Sequence, residues 1–83
     1  NPTTIINFGL PVDSEVHLMI YDIMGREVAT LVDGFMEAGY HKLQWNSINN
    51  EGKTVANGMY LYRLTTSGGD ERFSSVKKMV LLK

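Results

Sequence analysis

The chain has 83 residues, no cysteine, eight basic and nine acidic side chains, and a net charge of −1. That length suits one domain with a thin core, burying about 60–65% of the surface its unfolded form exposes. Lack of cysteine excludes a disulfide framework or thiolate metal site, and the balanced charge lacks the basic stripe of a nucleic-acid surface.

No apolar run approaches the roughly 20 residues needed to span a bilayer, and no signal-peptide pattern is visible. Asn1-Pro2-Thr3 reads as the end of a linker, so residues 1–83 are expected to be one domain of a longer protein. Apolar side chains then alternate with a period near two. Thr4, Ile6, Phe8 and Leu10 share one face of a first strand. Pro11 ends it, because proline cannot donate to a ladder. Residues 15–22 form a second strand, with Val16, Leu18 and Ile20 on one face and His17, Met19 and Tyr21 on the other.

Asp22 suits the first position of a type I turn, and Gly25 the position after it, where φ turns positive. An Asp-x-x-Gly connection of this length fits a hairpin with a G1-type bulge. Residues 26–32 form the third strand. Asp33-Gly34 reads as the start of another tight turn, and residues 35–38 as at most one helical turn. Gly39 opens a fourth strand with His41, Leu43 and Trp45 on one face. Residues 46–58 make the one long loop, rich in asparagine and glycine. Within it, residues 50–53 look like a tight turn and residues 53–55 like a short edge segment. Residues 59–66 are the clearest strand, rich in aromatic and branched side chains, with Tyr60, Tyr62 and Leu64 on one face. Ser67-Gly68-Gly69-Asp70 reads as a hairpin turn, and residues 71–82 as the last strand. The expected architecture is all-β: a small antiparallel immunoglobulin-like β-sandwich of about seven strands, with a small open barrel as the rival.

Chemistry is sparse. His17 and His41 lie on different strands with no ligand spacing around them. His41, beside Leu43 and Trp45, reads as packed at the core edge. No serine stands in a nucleophile elbow, and Gly68-Gly69 precedes no helix. The chain is therefore expected to be no enzyme and to need no cofactor. The oxygens of residues 46–51 raise calcium as an option, but only Glu51 there is acidic. Trp45, Tyr40, Tyr60 and Tyr62 raise an aromatic sugar platform, although a sandwich this small needs its large side chains inside. Lys77, Lys78 and Lys83 flank a very apolar final strand like charged gatekeepers against edge aggregation.

Five pieces of the chain, in order, resemble a known family. Asn1-Pro2-Thr3-Thr4 with Ile6 and Phe8 is similar to its opening, and Tyr21-Asp22-Ile23-Met24-Gly25-Arg26-Glu27-Val28 to its Tyr-Asp-x-x-Gly-Arg-x-Val motif. Gly39, His41, Leu43 and Trp45-Asn46 resemble its Gly-x-His-x-x-x-Trp-Asn segment. Residues 57–64 resemble its Gly-x-Tyr-x-Tyr-x-Leu strand, and residues 77–83 its Lys-Met-x-x-x-Lys ending. The family is the C-terminal sorting domain of the type IX (Por) secretion system, with the related immunoglobulin-like domain of flagellar hook-capping proteins.

The resemblance implies a non-catalytic domain that directs an upstream cargo protein to the cell surface. The route runs through periplasm and outer membrane, with the export machinery as partner. Gly25, Arg26, Lys77, Lys78 and Lys83 are then the candidate recognition residues, with no nucleic acid and no membrane insertion involved. For Gly25 a positive φ alone is an alternative reason. For Arg26 a pair with Asp22 or Glu27 is another. A structural spacer or assembly module is the rival function, and a carbohydrate-binding module a weaker one.

Overall fold

A computed structural model describes residues 3–82. Six strands follow one another: β1 Thr4–Leu10, β2 Ser14–Asp22, β3 Glu27–Met36, β4 Gly39–Trp45, β5 Gly58–Gly68 and β6 Glu71–Leu81. They form two antiparallel sheets, a two-stranded one (β1-β4) and a four-stranded one in the order β3-β2-β5-β6. This is the expected immunoglobulin-like sandwich. The expected edge segment at residues 53–55 contracts to a single bridge between Ile48 and Thr54.

The inner faces of the two sheets meet in one core of Ile6, Leu10, Val16, Leu18, Ile20, Ala29, Trp45, Tyr60, Leu64 and Leu81. Val16, Leu18 and Ile20 are fully buried because β2 is an inner strand with β3 on one side and β5 on the other. Each such side chain stabilises the fold by about 1.5–3 kcal/mol relative to exposure. Trp45 closes the core against Tyr60, ring edge to ring face at 5.5 Å and 71°, which favours the pair beyond its buried area.

Two local expectations are corrected. Asp33-Gly34 does not turn, and residues 35–38 contain no helical turn, because β3 runs straight on to Met36. Asp33 lies opposite His17 in the register, and its carboxylate meets His17 Nδ1 at 2.8 Å. Its side chain is thus occupied across the strands instead of bending its own backbone. Gly34 pairs with Val16, Phe35 with Glu15 and Met36 with Ser14. The chain reverses only at 37–38, where the Ala38 amide donates to Asp13 Oδ1 at 2.8 Å.

The β5–β6 hairpin turns one residue later than expected. Gly68 pairs with Glu71, leaving Gly69 and Asp70 as the two-residue connection. Gly69 has φ +56°, as the first central residue of a II′ turn requires. Gly68 is needed for another reason. A β-carbon there would overlap the carbonyl oxygen of Asp13 and the hydroxyl of Ser14, so β5 closes onto the β1–β2 connection only with glycine at its end.

Candidate functional site

The β2–β3 turn is built around Asp22. Its backbone carbonyl accepts the Gly25 amide at 3.0 Å, and its own amide donates to the Arg26 carbonyl at 3.0 Å. Its carboxylate accepts the amides of Met24 at 2.9 Å and Arg26 at 3.0 Å. The other carboxylate oxygen accepts Arg26 Nε at 2.8 Å. These bonds, the Arg26 amide foremost, hold the Asp22 carboxyl below its ordinary value. Gly25 takes φ +82° with open space around it, so the backbone conformation, not crowding, calls for glycine. Arg26 is folded back onto Asp22, although its side chain remains 77% exposed.

Lys77 and Lys78 lie on β6, exposed, on opposite faces of the sheet. The register relates them to the turn. Tyr21 pairs with Leu61 and Leu61 with Lys78, while Ile20 pairs with Tyr62 and Tyr62 with Lys77. The turn and the lysines therefore share one end of the four-stranded sheet, about 10 Å apart across two strand spacings. They do not converge on one spot, because β5 runs between them. Lys83 lies outside the described residues.

The same end carries side chains that the sequence reading passed over. Ile23 and Met24, at the tip of the turn, are 67% and 75% exposed. Met59 and Val80 pair with each other one row beyond Asp22, and both are exposed, as is Leu82. Two apolar residues inside a turn otherwise composed of Asp, Gly and Arg were the available signal. Exposed apolar side chains at one end of the sheet, with Lys78 on the same face as Val80, have the composition of a protein contact surface.

The asparagines of the long loop are committed to backbone. Asn49 Oδ1 accepts the amides of Glu51 and Lys53, each at 3.0 Å. Asn50 Oδ1 accepts the Thr30 amide at 2.8 Å. Among the described residues no three His, Cys, Asp or Glu side chains are grouped to hold a metal ion. A cleft beside the loop is lined by Asp22, Glu27, Asn49, Glu51 and Tyr60 among others, and in its lining the Tyr60 hydroxyl donates to the Ala56 carbonyl at 2.7 Å. Burial, and then the charge of Asp22, push the Tyr60 phenol above its ordinary value.

The four aromatic residues do not form a platform. Trp45 is 2% exposed and Tyr60 is buried, whereas Tyr40 stands 97% exposed on β4. His41 stacks on Phe8 at 5.5 Å, and its Nε2 meets the Glu37 carbonyl at 2.7 Å. Both histidines thus have structural partners.

Comparison with known proteins places this geometry. Residues 2–70 match the model of the FlgD Ig-like domain; that span ends just before β6. The chain is 41% identical over 55 residues to the basal-body rod modification protein FlgD of Salmonella typhimurium, and equally to that of Salmonella typhi. The aligned segment is 66% of this chain and 24% of those proteins, so the likeness is to about a quarter of their length. The crystal structure of FlgD from P. aeruginosa superposes with a TM-score of 0.74 at 25% identity, covering 96% of this chain and 60% of that one. Dimeric latent PorU from Porphyromonas gingivalis shares the fold, with a TM-score of 0.67 at 24% identity over 96% of this chain and 9% of PorU. The chain belongs to the FlgD Ig-like domain family.

Proposed function

We propose that this chain is a non-catalytic immunoglobulin-like assembly module of a larger protein. Its contact surface is the end of the four-stranded sheet that carries the Asp22–Arg26 turn. The observation that carries the reading is the exposure of Ile23 and Met24 on a hydrogen-bonded turn, at the same end of the sheet as exposed Met59 and Val80. Relatives named as basal-body rod modification proteins support it, since their role is one of building a larger structure. Gly25 and Arg26 then act by shaping the turn, while Ile23 and Met24 make the contact. The test is replacement of both by serine in the full-length protein. The folded variant is expected to lose incorporation into its assembly; unchanged incorporation would count against this surface.

A second reading is the C-terminal sorting domain of the type IX system, directing an upstream cargo to the cell surface through the outer-membrane machinery. The lysine-rich final strand favours it, with Lys77 and Lys78 presented on an edge of the sheet. Fusion to a folded reporter in a type IX-competent host separates the two. A sorting domain exports the reporter only when placed last, and fails once its final five residues are removed. An assembly module leaves the reporter inside the cell in either position.

A further inference from the structure

Among the described residues β6 is an edge strand whose hydrogen-bonding neighbour is β5 alone. It pairs with β5 in one unbroken register from Gly58–Leu81 to Gly68–Glu71, so a full row of outward backbone donors and acceptors faces away from the molecule. Such an edge is a template for another strand. Phe73, Val76 and Val80 along it are all more than half exposed.

The order of charges says what strand fits. The segment reads Asp70-Glu71-Arg72-Phe73-Ser74-Ser75-Val76-Lys77-Lys78. Two acids open it and two lysines close it, at equal distances from Ser74. Among the described residues none of these four makes an ion pair within the chain. In an antiparallel pair, residues directly opposite one another lie on the same face, with their β-carbons about 4.5–5.5 Å apart. A copy of the same strand related by a two-fold axis through Ser74 places Glu71 opposite Lys77 and brings Asp70, in the turn just before β6, near Lys78 at the strand end. The symmetry repeats both, which gives two ladder pairs and two further attractions at the strand ends. Phe73 then lies opposite Ser75, and Arg72 opposite Val76, where its aliphatic stem can cover the branched side chain. Moving the axis a whole residue toward the C-terminus sets Arg72 against Lys78, and a half-residue move would oppose side chains of different faces. Like charges directly opposite destabilise a sheet. In a parallel pairing in register the lysines would face each other.

We infer that two copies of this chain associate through antiparallel β6–β6 pairing centred on Ser74, joining their four-stranded sheets into one of eight strands. The contact is isologous, as two-fold dimers require. Edge pairing alone buries little area, so the dimer is weak and sensitive to salt.

Sedimentation equilibrium of the 83-residue chain at low and high salt measures it. Two charge variants decide it: K77E/K78E, which makes all four positions acidic, and D70K/E71K, which makes them all basic. Each alone is expected to weaken self-association about 100-fold. An equimolar mixture regains all four attractions as a heterodimer, close to the parent affinity. Trp45 emission and far-ultraviolet circular dichroism check that both variants are folded. Since the chain has no cysteine, S74C supplies an independent readout. Its sulfurs meet across the axis, and mild oxidation should link the dimer in the parent background but not in K77E/K78E. A parent that stays monomeric at every concentration would overturn the inference. So would folded single variants that associate like the parent, or a mixture that fails to pair.

Discussion

The four-stranded sheet has two edges, and they are built differently. On β3 the register with β2 shifts twice, between Leu18 and Met19 and between Ile20 and Tyr21. Leu31 and Val28 are thereby left as extra residues, and such bulges twist an edge away from any flat partner. The long loop then covers what remains at the start of the strand. Asn50 donates its amide to the Val28 carbonyl at 3.0 Å and accepts the Thr30 amide at 2.8 Å. One asparagine thus serves as a one-residue strand. β6 has neither device: its register is unbroken, and its protection is charge alone. The start of one edge is hindered by geometry and the other edge is guarded by side chains. Geometry there hinders an added strand of any sequence, whereas charge excludes only those with the wrong pattern.

That contrast can be broken at several points. The largest effect is expected from Gly68→Ala at the end of β5. The added carbon must displace Asp13 and Ser14, and since β6 is held by β5, the hairpin loosens with it. Thermal or denaturant unfolding should report a loss of about 2–4 kcal/mol. Asn50→Ala should cost about 1 kcal/mol by removing the acceptor for Thr30. Its sharper signature is increased self-association through β3, visible by light scattering, because a second edge has been opened.

Asp22→Asn tests the turn that starts β3. The Asp22 pKa is lowered in the folded state, so its carboxylate stabilises the fold fully above the ordinary value of 3.8. That contribution is lost as pH falls through the lowered pKa. The parent should therefore exceed the variant in stability near neutrality, and the difference should shrink toward zero in acid. Arg26→Ala should have the smallest effect, since an exposed pair contributes little and the Arg26 amide still binds Asp22. A melting temperature close to the parent's is the expected outcome.

Much of this architecture was legible in the chain. The alternation of Val16, Leu18 and Ile20, the Asp22–Gly25 turn and the inward Trp45 all follow from local rules of period and turn chemistry. Asp33-Gly34 was misread because turn propensity is local, whereas the pull on β3 comes from pairing with Ser14, Glu15 and Val16. The candidate site was less legible. For Arg26 two readings stood side by side, a partner contact and a pair with Asp22 or Glu27, and the structure shows the pair with Asp22. The exposure of Ile23 and Met24 became visible only once the turn was seen to project beyond the sheet. The roles of Asn49 and Asn50 depend on what the loop meets after folding back, which no spacing rule encodes.

The loop at residues 46–57 has a further consequence. Trp45 Nε1 donates to the Ile48 carbonyl at 2.9 Å, Tyr60 holds the Ala56 carbonyl, and Asn50 grips β3. A core indole, a core phenol and a neighbouring strand thus pin a segment with almost no regular structure of its own. Surface loops are the usual places to graft a peptide or open a new terminus, because little depends on their path. Here the path is fixed at three points, so a graft within the loop would disturb the core itself.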